Sequence, residues 1–262
     1  MRIIVNADDF GRSSTRNYAI DIVMKNGCCT QTSLMVNMPN TEDAVKLAKS
    51  GKYTNRVCMH LNLTLGEPIT NEIKNTPFCG QDGQFIGGLN PLQVLKSCMK
   101  ISIIRSLKKE IEAQIKKYLE FGLDMKHIDS HNWIHLYLPV WIVLLPLLKK
   151  YGFKSVRPMR EGLKHEDSKY MKLYYRIMDV FINTSGYVKV GYSSNLEEFL
   201  NNDISNFSEN DFVEIFTHPD YVNGAIIDAS WSYKGEEAKS MEYVKDRLTK
   251  LTQEKYTYRD CC

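Results

Sequence analysis

The sequence has no long hydrophobic run. Its richest apolar stretch, WIVLLPLL at 141–148, is far short of the roughly 20 residues that span a bilayer. The apolar run after Met1 ends within three residues at Asn6 and an acidic pair, unlike a signal peptide. No membrane span is expected, and the cytoplasm is the expected compartment. G-x-G-x-x-G and G-x-x-x-x-G-K-[ST] are both missing, so the usual phosphate cradles of open nucleotide-binding sheets are excluded. The seven cysteines, at 28, 29, 58, 79, 98, 261 and 262, contain no C-x-x-C spacing. Neither a disulfide framework nor a zinc knuckle is expected from them, and they read as reduced structural thiols. Net charge is scarce as well: +3, from 34 basic and 31 acidic residues, gives no reason to expect nucleic acid or an anionic membrane as partner. No internal repeat or low-complexity segment occurs.

What is present is ordinary globular material, 43% apolar and 25% charged over 262 residues. That is enough for one domain spanning 1–262, since α/β barrels occupy roughly 200 to 250 residues as a unit. Arg2 to Val5 reads as a short apolar strand, followed by a turn at Gly11 and a helix capped at Ser13 or Ser14 that stops at Gly27. TQTSLMVNM reads as a strand, Asn40–Ser50 as a helix and Arg56–Thr64 as a strand, which makes a βαβαβ start. The stretch 66–88, with Pro68, Pro77 and five glycines, is an irregular excursion of the length that often forms lids. An amphipathic helix is expected over 101–121, a strand at HIDS, a helix through LPVWIVLLPLLKKYG and a strand at FKSVR. Further on, a helix at 165–182 and a short strand at 187–190 precede a last clear strand at 211–217 and a helical tail at 231–249. Alternating strands and helices predict an α/β fold: a distorted, TIM-like (β/α) barrel with about seven parallel strands and crossover helices.

The chemistry-bearing residues gather where such a barrel would bring them together. NADDFG at 6–11 puts Asp8 and Asp9 on the first strand-to-helix turn. Helix capping alone does not require them, because Ser13 and Ser14 are available. Adjacent carboxylates repel unless a cation or a shared proton separates their roles. Four of the six histidines, His60, His127, His131 and His218, lie at or just past the ends of predicted strands. The C-terminal strand ends of a barrel converge, so these and the acidic pair could meet. Along HIDSH, His127, Asp129 and His131 share one face of the strand, which makes Asp129 a carboxylate partner for ligating imidazoles. A single strand-end histidine is usually a hydrogen-bonded structural group; four together point to a site. One carboxylate with two imidazoles suits hydrolytic or oxidative metals. HID at 127–129 formally matches the H-x-D of non-haem iron sites, but their usual scaffold is an antiparallel sandwich, so the hydrolytic reading is preferred.

Several ordered stretches then resemble the YdjC-like carbohydrate deacetylases: IVNADDFG, TSLMVNMP, MHLNLTLGEPIT, HIDSHNWIHL, VRPMRE, THPDY and YTYRD, running the length of the chain. The resemblance implies a distorted (β/α) barrel, one divalent metal ion and removal of an acetyl group from a small N-acetylated sugar of chitobiose type. Carried onto this sequence, it implies Asp9, His60 and His131 as metal ligands, Asp8 as general base and His218 as general acid. His127, Asp129, His135 and Arg157 would form the supporting shell. The resemblance favours Mg2+, whereas two nitrogen ligands alone favour Zn2+, and manganese or cobalt also fit. A homodimer is the expected assembly. Two departures from the family pattern stand out. Asn132, Trp133 and Ile134 precede His135, where Trp133 offers an aromatic platform to a pyranose. Asp220 in HPDY adds a charge expected to raise the pKa of His218 if the two are close. Trp231 and Tyr233 read as packing groups more readily than as sugar contacts. The alternatives are a deacylase of a different amide or of a lipid-linked sugar, and a non-catalytic sugar- or metal-binding protein. A compact polar pocket would favour the disaccharide, and an exposed apolar groove the lipid-linked sugar.

Overall fold

The computed structural model of the chain describes residues 1–160, 168–201, 207–230, 238–251 and 255–262. Its elements follow the expected alternation. β1 (Arg2–Phe10), α1 (Ser14–Lys25), β2 (Gln31–Leu34), α2 (Thr41–Ser50) and β3 (Val57–Leu61) form the βαβαβ start. Two short helices, α3 (Asn71–Lys74) and α4 (Pro91–Ser97), precede the long α5 (Ile101–Glu120). Next come β4 (His127–Ser130), a 3-10 turn over His131–Leu136, α6 (Leu138–Lys150), β5 (Ser155–Val156) and α7 (Lys169–Asn183). The described remainder holds β6 (Tyr192–Ser194), α8 (Leu196–Asn201), β7 (Phe212–Thr217), β8 (Pro219–Val222), β9 (Ala225–Asp228), β10 (Lys239–Ser240), α9 (Met241–Leu251) and β11 (Lys255–Tyr256).

Seven strands pair in the order β5-β4-β3-β2-β1-β7-β6, all parallel, and β11 adds to the lower part of β1 beside the start of β2. A single parallel bridge from Val156 to Val188 draws the two sheet edges toward each other, so the sheet curls into a distorted (β/α) barrel. Its strands are buried on both faces, as parallel sheets covered by helices must be. On β1, Ile3, Val5 and Ala7 pack in the main apolar core shared with the helices, while Ile4 joins Cys58, Met125, Val190 and Tyr258 in a small cluster. By the two-residue repeat, Asn6 and Asp8 lie above Ile4 on the same face. That face grows more polar toward the C-terminal strand ends.

Local chemistry explains the helix limits. The Ser13 side chain accepts from the Arg16 backbone N–H at the start of α1, and Gly27, at φ +75°, follows its C-cap. Three expectations change. The strand placed at 187–190 starts five residues later, as β6, leaving only the Val188 bridge at the expected place. β7 is not the last strand, because a β8–β9 hairpin follows it directly. The 66–88 excursion is anchored as well as irregular: Ile73, Phe78 and Phe85 are buried in the core, and the Glu110 carboxylate accepts from the backbone N–H of Ile69 and Thr70 at 3.0 and 2.7 Å. The first part of the helical stretch placed at 165–182, and that of the tail at 231–249 with Trp231 and Tyr233, lie outside the described residues.

Candidate metal and hydrolytic site

In a regular strand Asp8 and Asp9 would face opposite ways. Asp9 instead has φ +70°, and the β1–β2 register shifts between Ala7 and Phe10, so the chain turns and both carboxylates address the same end of the barrel. A left-handed aspartate costs of order 1 kcal/mol or more, and it is kept at the point where the two acids must be separated. The Arg12 and Arg16 guanidiniums donate to Asp9 Oδ2 at 2.8 and 2.9 Å. Asp9 Oδ1 is left toward His131 Nδ1 at 2.8 Å and His60 Nε2 at 3.4 Å.

β3 and β4 supply the rest of this group by register: His60 lies opposite Asp129, and His60 Nδ1 meets Asp129 Oδ1 at 2.6 Å. The other ring nitrogen of His60, Nε2, is buried with no hydrogen-bond partner. One oxygen of Asp9 and one nitrogen each from His60 and His131 lie within 4.8 Å of one another. This arrangement fits a divalent cation: a carboxylate, two imidazoles, an orphaned nitrogen pointing at the gap, and a second carboxylate fixing the far side of one ring. Burial opposes charge at Asp9, yet His131 and His60 hold its carboxyl well below the usual range. Burial likewise opposes charge on His60, but the Asp129, Asp9 and Asp8 carboxylates together outweigh it and push the imidazole up to about 10.

Asp8 is organised differently. Arg157 donates to both of its oxygens at 2.7 Å, and Asn6 Nδ2 donates to Oδ1. Burial would raise the carboxyl, and the Arg157 guanidinium lowers it far below the ordinary carboxylate range. Arg157 also reaches Asp129 Oδ2 at 2.7 Å and Glu214 Oε1 at 2.8 Å. One buried cation therefore anchors three carboxylates, beneath the rings of Trp133 and Phe216. His135 supports it from behind, with Nε2 donating to the Arg157 carbonyl at 3.1 Å and Nδ1 bonded to Ser130. Burial pushes His135 down to about 3, so it is neutral.

His218 Nε2 stands 3.9 Å from Asp8 Oδ2. Its Nδ1 lies 2.8 Å from Ser230 Oγ, which donates to Asp228 Oδ1 at 2.7 Å, and that oxygen also accepts the His218 backbone N–H. Burial lowers the His218 pKa, with Asp8 and Asp9 opposing. The expected influence of Asp220 is corrected here: its carboxylate pairs with Arg16 Nε at 3.3 Å, and the pKa of His218 moves down, not up. His127 lies a layer deeper, at the start of β4. Its Nδ1 is 2.9 Å from Ser155 Oγ and its ring stacks on Tyr258 at 3.4 Å.

Asp8, His60, His131, Trp133 and His218 line one cavity of about 230 Å³. Asn132 and Trp133 follow His131 with φ of 53° and 57°. For a tryptophan that backbone is uncommon, and here it turns the indole edge-on to Phe216, with ring centroids 5.2 Å apart. Sequence reasoning missed Glu214, Asp228, Ser230 and the two arginines on Asp9. Only Glu214 carried a signal, as the single charge inside the apolar run FVEIFT.

A family model described as YdjC-like protein matches residues 2–252. A carbohydrate deacetylase of Clostridium beijerinckii is 31% identical over 249 residues, 94% of this chain and 92% of the relative. One from Brevibacillus brevis is 30% identical over 254 residues, 96% and 90% of the two chains. Among solved structures, a proposed cellobiose-phosphate cleavage protein of Enterococcus faecalis V583 superposes with a TM-score of 0.64 at 20% identity, covering 99% of this chain and 98% of its own. That last likeness speaks to the fold.

Proposed function

The chain belongs to the YdjC-like family, and from that premise we propose that it is a metal-dependent hydrolase removing the acetyl group from an N-acetylated amino sugar. The observation that carries this reading is a three-donor metal group, His60 and His131 lining one cavity with the buried Asp9 behind them, next to an acid–base pair, Asp8 and His218, that lines the same cavity. A divalent ion held by Asp9, His60 and His131 would polarise the acetamide carbonyl and lower the pKa of water beside it.

The protein's own groups divide the remaining work. Asp8, ionised across the physiological range, accepts the proton of the attacking water, and Arg157 fixes both of its oxygens so that one orientation is offered. An amine is a poor leaving group unless protonated, and His218 Nε2, 3.9 Å from Asp8 Oδ2, would take up the proton that Asp8 receives from water and, as the imidazolium, pass it to the amine. Ser230 and Asp228 hold its Nδ1 side and so set the tautomer. Trp133 offers a flat face to the pyranose. His127, Asp129, His135 and Arg157 act through others: Asp129 on His60, Arg157 on Asp8, His135 on the Arg157 backbone, and His127 from the layer beneath. A non-catalytic binding protein would have no need to keep both an acid and a base beside the metal group.

The test is acetate release from N,N′-diacetylchitobiose and a panel of N-acetylated sugars, using chelator-treated protein with single metals restored. Release that requires a metal and disappears in His60→Ala supports the reading. The metal giving the highest rate decides between Mg2+, which the family resemblance implies, and Zn2+, which the donor set favours. No release from folded, metal-loaded protein would overturn it.

A further inference from the structure

The cavity above Asp8 is small for a whole ligand. Sites that enclose one commonly measure roughly 300–1,000 Å³, whereas this one measures about 230 Å³. It does not end there. Asn132, the left-handed residue after His131, also forms a wall of a second groove, of about 630 Å³. Leu89, Pro91 and Leu92, at the start of α4, face Met171 and Tyr175 of α7 across it.

The chemistry of the two compartments differs sharply. The smaller holds Asp8, His60, His131, Arg160 and His218 together with Trp133 and Phe216. Among the described residues lining the larger one, none carries a formal charge. Two of its polar side chains are already engaged locally: Asn132 Nδ2 donates to Thr64 Oγ1 at 3.3 Å, and the Tyr137 hydroxyl donates to the Leu89 carbonyl at 3.0 Å. Beyond its rim the apolar surface continues along α4 and past its end, where Leu92 is 47% exposed, Leu95 39% and Met99 83%.

We infer that this groove receives an apolar chain attached to the sugar, so that the substrate class is an N-acetylated amino sugar carried on an alkyl- or acyl-type aglycone. The inference rests on the deacetylase reading and deepens it. A phosphorylated second sugar would need a cation, and none lines the groove among the described residues. Leu89, Pro91, Leu92 and Met171 give the groove an apolar wall beside Thr64, Asn90, Tyr137 and Tyr175, and that wall, joined to the reacting compartment at Asn132, suits hydrocarbon.

The experiment compares the methyl, butyl and octyl β-glycosides of N-acetylglucosamine on the full metal-loaded chain, each below its micelle-forming concentration. A fully buried methylene raises kcat/KM by about fourfold, so the octyl glycoside should exceed the methyl glycoside by at least ~10-fold. Leu92→Gln and Met171→Gln should each shrink that ratio several-fold. Equal kcat/KM across the series, with acetate released from every member, would overturn the groove assignment and leave deacetylation standing. If no glycoside is hydrolysed, the deacetylase reading fails instead, and calorimetric titration of Asp8→Asn with the octyl glycoside decides the groove. Binding that Leu92→Gln weakens would support it, and no binding would overturn it.

Discussion

His60 and His127 sit on neighbouring strands, each 1% exposed and each with an Nε2 that finds no hydrogen-bond partner, yet their ionisation runs in opposite directions. Burial works against charge on both. At His60, the carboxylate behind Nδ1 and those of Asp9 and Asp8 together overturn it; at His127, Nδ1 meets only the neutral Ser155 hydroxyl, and the Arg157 guanidinium adds to the penalty. A buried orphan nitrogen is therefore not enough to make a cation site. Cys58, His127 and Asp129 also lie within 4.8 Å of one another. But Asp129 is already shared by His60 and Arg157, and the nearby guanidinium disfavours another cation. The upper end of the β3–β4 pair carries donors that could hold a metal ion, and at the lower end His127 stacks on Tyr258.

That contrast breaks most visibly under single substitutions. His60→Ala should abolish turnover and metal content, while His127→Gln should cost no more than ~3-fold; equal damage from both would erase the distinction. Asp8→Asn should lower kcat by about 10²–10⁴ with the metal still bound, measured by turnover and metal analysis together. Arg157→Met leaves three carboxylates without their cation and should destabilise the fold by about 3–5 kcal/mol in urea denaturation, well beyond His127→Phe. Asp129→Asn should weaken metal affinity by about 10–100-fold, read by competition with a chelator.

The smallest effect is the most diagnostic of the two environments. In the metal-free protein, His127 and His135 have folded pKa values below their unfolded ones. Each therefore costs stability as pH falls below about 6.5, by about 1 kcal/mol per pH unit. His60, raised to about 10, contributes stability that is complete below about 6.5 and is lost as pH rises through about 10. Stability plotted against pH should lose its acid limb in part in His127→Gln and its alkaline limb in His60→Gln. Unchanged limbs would contradict the assignment.

Much of this was legible because strand alternation and strand ends are written in the sequence. Asp8, Asp9, His60, His131 and His218 all sit where β1, β3, β4 and β7 finish, so a barrel brings them near one another whatever the details. The left-handed turn at Asp9 that lets neighbouring acids share a site leaves no composition signal, because the strain is supported by specific contacts to Arg12, Arg16 and the distant His131. Asp228 and Ser230 were hidden for a similar reason: they reach His218 through the β8–β9 hairpin, past the strand that looks final. The misplaced strand near 187–190 arose because YVKV alternates well and YSS does not. Yet Ser193 is buried within 3.3 Å of Glu214, a place that calls for a small polar side chain rather than a branched one.

The position of β1 between β2 and β7 has a consequence for biosynthesis. Its first partner follows within some 25 residues, but Arg2–Ala7 must wait for Phe212–Thr217, and Asp8 waits 149 residues for Arg157. At roughly 5–20 residues per second, the acidic pair spends on the order of ten seconds on the ribosome before the cation that makes it tolerable is translated. One edge of the most buried strand stays open longer still. Nascent chains should thus depend on holding factors over that interval, and no incomplete chain short of β7 could assemble the site.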